Sequence, residues 1–348
     1  MKHVHLNNQN LTKKINSAIR LSALALFSLL FVACATTRTP MLGGNNPHVG
    51  IKSDDFVVII AHRGDTLESL AEQYLGSRTM AWRIADFNNI AQVVDGLEVV
   101  IPLKPHNPSA VYIDGYQTVP ILCYHRFDDK HNKLSVNATK FAEQMAYLKE
   151  NNYRVIHMKD LIGFLEGKND IPKRAVVITV DDGYRSTFKN AYPILQKYNF
   201  PATVFLYTDF MGAPDALTWS QIQFMEKSGL IDFQAHSKTH PNMSLQQPGE
   251  AYKDYKQRIE EEIENPSNKI KAHLKKNLHT FAYPFGDTNE MIINKLKKID
   301  YRLGVTVQPG SNAVFSYHYM LNRTMIFGDS THEEFVNALD TFKQVSLQ

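Results

Sequence analysis

The feature that most constrains this chain is the repeated alternation of short apolar strands with amphipathic helices between residues 118 and 305. Patterning predicts strands at 118–124, 154–157, 175–180, 202–207, 233–236, 280–283 and 303–305, and helices at 137–151, 159–166, 188–198 and 220–228. Repeated β–α units predict a parallel sheet covered on both faces, and this number of units favours a barrel. Reactive groups of such folds collect at the carboxyl ends of the strands.

Three polar motifs follow predicted strands at those ends. Asp181 and Asp182 come directly after an apolar strand, where two carboxylates are costly unless they pair with a cation or take part in chemistry. His236 and His240 are four residues apart and can reach one metal ion if the segment coils. The third motif is FAYPFG at 281–286. Each motif alone has a structural alternative: a turn, two satisfied histidines, or a Pro-Gly turn.

Taken together and in this order, the motifs resemble the polysaccharide deacetylase family (NodB homology, carbohydrate esterase family 4). The flanking phrases VPILCYHRF, FAEQMAYLKENNYRVI, PKRAVVITVDDGYRSTFKNAYPIL and FPATVFLYTDF match as well, so the resemblance covers residues 117–330. It is strongest to the branch that contains poly-N-acetylglucosamine deacetylases. The resemblance implies a distorted (β/α) barrel of seven strands in a domain at 112–348, and a metal-dependent hydrolysis of N-acetyl groups.

The resemblance also implies a role for each motif residue. Asp182, His236 and His240 would be the ligands of a divalent ion; Zn²⁺ suits two histidines and one carboxylate, and other first-row metals suit them too. Asp181 would be the general base that deprotonates the attacking water. The backbone N–H of Tyr283 would stabilise the oxyanion together with the metal.

Three further residues complete the implied active site. Pro284 and Phe285 would shape the pocket for the acetyl group. Many family members take a general acid from a Leu-x-His motif near the carboxyl terminus, and that motif does not occur in this sequence. In the branch of strongest resemblance a histidine at the end of the first barrel strand has this role, and His125 occupies that place. The alternative for His125 is a hydrogen-bonded histidine at a strand end.

Two positions raise separate questions. The third family motif usually has an arginine that orients the catalytic aspartate, and this chain has Ala282 there. We expect Arg323, in the segment LNRTMI, to orient Asp181 instead. Trp219 has two interpretations: it stacks on a sugar ring of the substrate, or it anchors the start of a helix.

A smaller module is predicted before the barrel. The sequence predicts a strand at 57–60, a helix that begins with Asp65 as N-cap and Glu68 completing a capping box, a second helix at 81–87 and a strand at 97–101. This βααβ order within about 50 residues defines a candidate domain at 52–104.

This module resembles a LysM domain through the strings GDTLESLAEQYLG, IADFNNI and DGLEVVIP. LysM domains bind glycans that contain N-acetylglucosamine, such as peptidoglycan. The resemblance implies sugar contacts at Gly64, Asp65, Thr66 and Asn89. The alternative is that these residues only cap helices and form turns.

The amino-terminal segment predicts a targeting signal. A basic stretch leads into an apolar run at 21–33, which is too short to span a bilayer and fits the apolar part of a signal peptide. Its end, LFVAC, resembles a bacterial lipobox, which implies a signal peptide at 1–33 and lipidation of Cys34. A flexible tether at 34–51 would follow, and Ala35 implies anchorage in the outer membrane facing the periplasm. The alternative is an ordinary signal peptide with an incidental cysteine.

Net charge narrows the choice of partners. The formal charge of the chain is +3, and residues 1–33 contribute four basic side chains and no acidic ones, which leaves 3 − 4 = −1 for the rest. A nearly neutral body without a basic run argues against nucleic acid as partner. Membrane contact is expected through the lipid anchor only.

Three functions are compatible with these features. The first is a metal-dependent deacetylase of polymers that contain N-acetylglucosamine, either peptidoglycan or poly-N-acetylglucosamine, with the LysM module targeting it to glycan. The second is a catalytically inactive envelope lipoprotein that binds peptidoglycan. The third is an esterase or cyclic-amide hydrolase that uses the same metal site.

Overall fold

The computed structural model describes residues 49–129 and 132–345. The predicted signal peptide at 1–33, the lipidation at Cys34 and the tether as far as residue 48 lie outside the described residues. Residues from Gly50 onward form one compact unit. Within the described ranges, no helix is both long enough and apolar enough to cross a membrane.

A small three-stranded sheet with two helices forms the first part of this unit. Its elements are β1 (Val49–Lys52), β2 (Phe56–Ile60), α1 (Leu67–Leu75), a 3-10 turn (Arg78–Met80), α2 (Ala81–Asn88) and β3 (Glu98–Pro102). The strand order is β1-β2-β3, with β2 and β3 antiparallel. The strand–helix–helix–strand order is the one that the sequence predicts. Residues 49–51, expected in the tether, belong instead to the edge strand β1.

The start of α1 differs from the prediction by one residue. Thr66, not Asp65, is the N-cap, and its capping box is completed by Ser69 rather than Glu68. Asp65 instead accepts a hydrogen bond from the backbone N–H of His62 at 2.8 Å. The predicted glycan contacts Gly64, Thr66 and Asn89 are exposed, and Asp65 is half-buried. These residues shape the two turns of the module, and their contact with sugar stays a prediction.

Asn88 joins the second helix of this module to its last strand. Its Nδ2 donates to the carbonyl oxygens of Ile84 at 2.8 Å and Val100 at 2.6 Å, and its Oδ1 accepts from the Val100 N–H at 2.9 Å. A single side chain thereby satisfies both backbone groups of a residue in β3.

The second part of the unit contains eleven strands and seven α-helices in the described residues, besides a π-helix (Thr187–Ala191) and a 3-10 turn (Pro284–Gly286). The strands are β4 (Val111–Tyr112), β5 (Gly115–Tyr124), β6 (Arg154–Val155), β7 (Ala175–Val180), β8 (Ala202–Leu206), β9 (Ile231–Ala235), β10 (Thr280–Ala282), β11 (Leu303–Val305), β12 (Ser311–Ala313), β13 (Thr324–Met325) and β14 (Phe342–Gln344). The helices are α3 (Ala138–Glu150), α4 (Asp160–Leu165), α5 (Tyr192–Tyr198), α6 (Trp219–Lys227), α7 (Tyr252–Leu274), α8 (Glu290–Lys298) and α9 (His332–Asn337).

The central strands form a curved parallel sheet that closes on itself. The order β5-β7-β8-β9-β10-β11 is parallel throughout. The segment that includes β13 closes the gap: Leu321 bridges to Val305 of β11, and β13 pairs in parallel with β5. Seven parallel segments therefore surround one interior, and the distorted (β/α) barrel expected from the sequence is confirmed. Strands β4, β12 and β14 add antiparallel pairings to β5, and β6 pairs with β7.

Alternate residues of the barrel strands divide the core into two layers. In β7 all six residues are buried. Val176, Ile178 and Val180 belong to the layer between the sheet and the helices, together with Phe141 of α3. Val177 belongs to the other layer, with Phe205, Ala282, Leu303, Val305 and Leu321 as its companions from neighbouring strands. This two-sided burial explains why β7 reads as a continuous apolar run.

The longest helix, α7, is absent from the sequence prediction. It follows the segment after β9 and runs for 23 residues. Its buried positions Tyr255, Ile259, Ile263 and Ile270 do recur at helical spacing. The mostly polar composition and an internal proline, Pro266, obscure that pattern, because proline removes one backbone hydrogen bond from a helix interior.

The small module contacts the segments that lead into β6 and β7. Asp170 accepts hydrogen bonds from the backbone N–H groups of His106 at 2.7 Å and Asn107 at 2.9 Å, in the link between the two parts. Asp86 of α2 accepts from the Lys173 N–H at 2.8 Å. Because Asp170 and Lys173 precede β7, the small module lies at the amino end of that strand, opposite the end where reactive groups collect in barrels.

The hydrogen bonds of Asn88 to Ile84 and Val100 lead to a prediction about stability. We expect Asn88→Ala to lower the free energy of unfolding of the small module by about 1–2 kcal/mol, since the partly buried Val100 N–H and C=O lose their partners. Amide hydrogen exchange of β2 and β3 in the whole protein measures this locally. The exposed Gln92→Ala is the control and should leave exchange unchanged. Equal protection from exchange in Asn88→Ala and in the native protein would contradict a stabilising role of the Asn88 hydrogen bonds.

Candidate metal centre and active site

Two consecutive carboxylates leave the end of β7. The N–H of Asp181 donates to the carbonyl of Tyr124 at 2.9 Å, which extends the pairing with β5 by one residue. Asp182 then takes the left-handed conformation with φ of 74°, and Gly183 follows with φ of 78°. This turn keeps both acidic side chains at the end of the barrel, and both are almost fully buried.

The two histidines lie on a coiled loop directly after β9. The His236 N–H donates to the Leu206 carbonyl at 2.8 Å, so this residue still belongs to the barrel wall. Ser237 and His240 are left-handed, with φ of 74° and 65°. The His240 N–H donates to the Ser237 hydroxyl at 2.9 Å, which closes the loop.

Asp182, His236 and His240 converge on one point. The Nε2 atoms of the two histidines are 3.2 Å apart, and Asp182 Oδ1 lies 3.4 Å from that of His240 and 3.7 Å from that of His236. A tetrahedral ion about 2.1 Å from each ligand atom would separate such atoms by about 3.4 Å. Asp182 Oδ1 is buried and makes no hydrogen bond to any described residue. The separations, the donor set and this unsatisfied oxygen all fit a divalent transition-metal ion.

His236 is held in the tautomer that a metal ligand needs. Its Nδ1 lies 2.8 Å from the Ala282 carbonyl oxygen, which can only accept, so Nδ1 carries the proton and Nε2 presents its lone pair to the cluster. Burial, together with the neighbouring His240, lowers the pKa of His236 to about 3 and keeps the ring neutral. Burial and the charge of Asp181 raise the pKa of Asp182 to about 6. A dication at this point would oppose both effects on Asp182.

Arg323 forms a buried two-point ion pair with Asp181. Its NH1 and NH2 groups donate to Oδ1 and Oδ2 of Asp181, each at 2.7 Å, and both side chains are at most 2% exposed. The Arg323 Nε donates to the Thr306 carbonyl at 2.8 Å, which fixes the guanidinium plane. Burial alone would raise the pKa of Asp181, but the charge of Arg323 outweighs it and holds that pKa well below its usual range.

The structure thus places an arginine against Asp181 from the barrel segment that closes onto β5. Ala282, where the family usually has arginine, is fully buried in the barrel interior. Cys123 completes the surroundings of Asp181, since its buried thiol donates to Oδ2 at 3.6 Å. His125 also reaches this group: one ligand atom each of Cys123, His125 and Asp181 lie within 4.8 Å of one another.

Tyr283 does not have the expected oxyanion role in this structure. Its backbone N–H donates to the Val305 carbonyl at 3.1 Å, continuing the pairing of β10 with β11, so that proton is not directed at a substrate. Its hydroxyl donates to the Tyr319 carbonyl at 2.9 Å, and the ring is fully buried. Tyr283 is therefore a core residue, and the prediction for it is wrong in this geometry.

Phe285 lines the metal centre, whereas Pro284 is buried behind it. The Phe285 ring is 59% exposed, and its centroid lies 4.9 Å from that of His240. Its backbone is left-handed, with φ of 62°, which is costly for a bulky residue. This conformation turns an aromatic ring into solvent beside the histidines, at a place suited to contact with a substrate.

Trp219 matches the structural interpretation rather than the sugar-stacking one. Its indole stacks on the imidazole of His273 with centroids 3.8 Å apart and an interplanar angle of 6°. Thr218 caps the helix that Trp219 begins, through a capping box with Gln221. The stacked face of the indole is therefore taken by α7, and Trp219 anchors the start of α6.

One buried carboxylate beside the site was missed by the sequence analysis. Glu262 of α7 accepts hydrogen bonds from the loop between His236 and His240. The sequence does contain an indication of its role, because Glu262 lies on the buried face of α7 beside Ile259 and Ile263. An acidic residue in an apolar stripe indicates a specific partner.

The fold and the site define a barrel with a candidate three-ligand metal centre and an adjacent, arginine-held carboxylate. Comparison with known families agrees: residues 168–304 match the model of the family described as polysaccharide deacetylase. The matched segment includes Asp181, Asp182, His236 and His240, so the chain resembles this family across the candidate site.

Individual relatives and one solved structure are also similar to the chain. A poly-β-1,6-N-acetyl-D-glucosamine N-deacetylase of Staphylococcus aureus (strain MRSA252) is 27% identical over 215 residues, which is 60% of this chain and 73% of that protein. The enzyme of the same name from Escherichia coli (strain K12) is 25% identical over 265 residues, 65% of this chain and 39% of that protein. The structure of the Streptococcus pyogenes deacetylase PplD in complex with acetate superposes with a TM-score of 0.58 at 25% identity, covering 64% of this chain and 98% of that one.

The ion pair at Asp181 generates the second prediction. Arg323→Met should lower the free energy of unfolding by about 3–5 kcal/mol, because it leaves the Asp181 carboxylate buried without its cation. Denaturant unfolding of the metal-free protein measures this change.

The matched control is Arg302→Met. This arginine pairs with Glu166 at the surface, where such pairs contribute about 0–1 kcal/mol. If the two substitutions changed stability equally, the special cost of the buried pair would be refuted.

Proposed function

We propose that this protein is a metal-dependent deacetylase that removes N-acetyl groups from polymers of N-acetylglucosamine. The observation that carries the proposal is the convergence of Asp182 Oδ1, His236 Nε2 and His240 Nε2 on one point beside the ionised Asp181. An N-acetyl group is an unreactive amide, so its hydrolysis needs both a polarised carbonyl and an activated water.

The three ligand residues supply the metal chemistry. A divalent ion held by two neutral histidines and one carboxylate would act as a Lewis acid and favour the ionisation of water near neutral pH. The Ala282 carbonyl orients His236, and Asp182 contributes the negative charge of the ligand set. Zn²⁺ suits these donors, and other first-row metals suit them as well.

Asp181 is the proposed general base, and Arg323 orients it. Arg323 uses one lone pair of each carboxylate oxygen and Cys123 donates to Oδ2, so Oδ1 keeps a further lone pair for the attacking water. The ion pair also keeps Asp181 ionised over the working pH range. A carboxylate with so low a pKa is a weak base, so its contribution depends on position more than on proton affinity. His125, which has a ring nitrogen within 4.8 Å of an Asp181 carboxylate oxygen, is the proposed acid that protonates the leaving amine.

The proposed substrate is poly-β-1,6-N-acetylglucosamine. The relatives named for this polymer in two bacteria match 60% and 65% of the chain, which supports this polymer over peptidoglycan. Exposed Phe285 beside His240 offers an apolar surface for an acetyl methyl group or a sugar face.

The small module at 52–104 is proposed to bind the same kind of glycan as a LysM domain. Its turns at Gly64–Thr66 and at Asn89 present exposed polar groups, as sugar contacts require. A lipid on Cys34 would hold the protein in the cell envelope, on the periplasmic side of the outer membrane. Module and anchor together would raise the local concentration of substrate.

The test combines metal content with acetate release by the purified protein. We expect about one divalent metal ion per chain and release of acetate from poly-β-1,6-N-acetylglucosamine at a higher rate than from peptidoglycan. Asp181→Asn should keep the metal while kcat falls about 10²–10⁴-fold, the range for loss of a general base. His236→Ala should lose metal and activity together, and chelation should abolish activity that added Zn²⁺ restores.

Matched controls are Asp287→Asn, an exposed carboxylate on the segment after Phe285, and His318→Ala, whose ring bonds to the Leu165 carbonyl instead of the cluster. Both should behave as the native protein. Absence of metal and of acetate release, with glycan still bound, would refute the deacetylase and leave a binding lipoprotein. Activity on esters but not on amides would identify the third function considered above.

A further inference from the structure

The loop that carries both histidines is bound from outside the barrel by one carboxylate. Glu262 Oε2 accepts the backbone N–H groups of Lys238 and Thr239, each at 2.9 Å, and Oε1 accepts the Thr239 hydroxyl at 2.6 Å. Glu262 is 5% exposed, although acidic side chains are rarely buried without a partner. Its three hydrogen bonds all go to the residues between His236 and His240.

This loop needs external support because its backbone is strained. Ser237 and His240 are both left-handed, a conformation that brings the Cβ of a non-glycine residue too close to the following carbonyl oxygen. Within the loop only the Ser237 hydroxyl opposes this cost, by accepting the His240 N–H. The N–H groups of Lys238 and Thr239 both donate to Glu262, which lies outside the loop on α7.

The helix that carries Glu262 is itself fixed to the barrel on either side of the metal loop. Lys269 of α7 donates to the Thr208 carbonyl at 3.0 Å, in the loop after β8. Ser267 shares a hydrogen bond with the Tyr301 hydroxyl at 2.7 Å. Glu262 is therefore a rigid support rather than a surface side chain that happens to reach the loop.

We propose that Glu262 is a positioning residue of the metal centre: by binding the 238–239 backbone it holds His240 at ligand distance from His236 and Asp182. This inference rests on the proposed function, because it assigns Glu262 an effect on metal affinity. Residues behind metal ligands commonly change affinity 10–100-fold when they are replaced. Glu262 acts on the backbone of the loop rather than on a ligand side chain.

The test measures the dissociation constant for Zn²⁺ of the metal-free whole protein, by competition with a chromogenic chelator. Glu262→Met keeps the length of the side chain and removes all acceptors, so the dissociation constant should rise about 10–100-fold. Glu262→Gln can place its oxygen towards both N–H groups and its amide towards the Thr239 hydroxyl. It should therefore recover most of the lost affinity, which a requirement for the negative charge would not allow.

The control is Glu261→Met, one residue earlier on the exposed side of the same helix, and it should bind Zn²⁺ like the native protein. Native affinity in Glu262→Met would overturn the proposal. Failure of Glu262→Gln to recover affinity would overturn it as well, since the charge and not the hydrogen bonds would then matter.

If Glu262→Met does not fold, Thr239→Val serves instead. It removes only the hydroxyl bond to Oε1, and it should weaken Zn²⁺ binding severalfold with little change in the unfolding temperature of the metal-free protein. Native affinity in Thr239→Val would then count against the proposal. Absence of Zn²⁺ binding by the native protein would instead contradict the proposed function itself, so the two failures are distinguishable.

Discussion

The active site depends on the ion pair between Asp181 and Arg323. An aspartate at the mouth of an apolar barrel is stable in its ionised form only with a cation at hand, and Arg323 meets both oxygens from the segment that closes the barrel. The same contact therefore joins the segment that closes the barrel to the carboxyl end of β7. The ion pair thus orients Asp181 and also helps to close the barrel. A substitution at Asp181 or Arg323 would therefore disturb both the active site and the fold.

Strained backbone occurs at several other residues of the site. Asp182, Ser237, His240 and Phe285 are all non-glycine residues in the left-handed region. Such conformations persist only where the surroundings over-determine them, and they cluster at functional sites. Here the Ser237 hydroxyl and the Glu262 carboxylate accept hydrogen bonds from backbone N–H groups of the histidine loop and support it, while the barrel walls fix the strands on both sides.

Much of the barrel and of the candidate metal site could be predicted from local sequence patterns. Apolar runs such as β7 predict the barrel, and Asp182, His236 and His240 are recognisable from the order of their motifs. Pairing of Arg323 with Asp181 was expected because Ala282 left the aspartate without its usual partner. Backbone pairing between distant segments could not be predicted. The Tyr283 N–H donates to the carbonyl of Val305 in β11, and the spacing of residues within the motif does not indicate this bond. Glu262 was missed because its helix is polar and contains Pro266.

The small module sits at the amino end of β7, while Asp181 and Asp182 follow its carboxyl end. The six residues of this strand span about 20 Å. A glycan held by the module as proposed would have to run past the whole side of the barrel before its own sugars reached the metal centre. Short oligosaccharides would gain nothing from the module, so the two-part architecture favours long polymers, or neighbouring chains in a mesh, over released fragments.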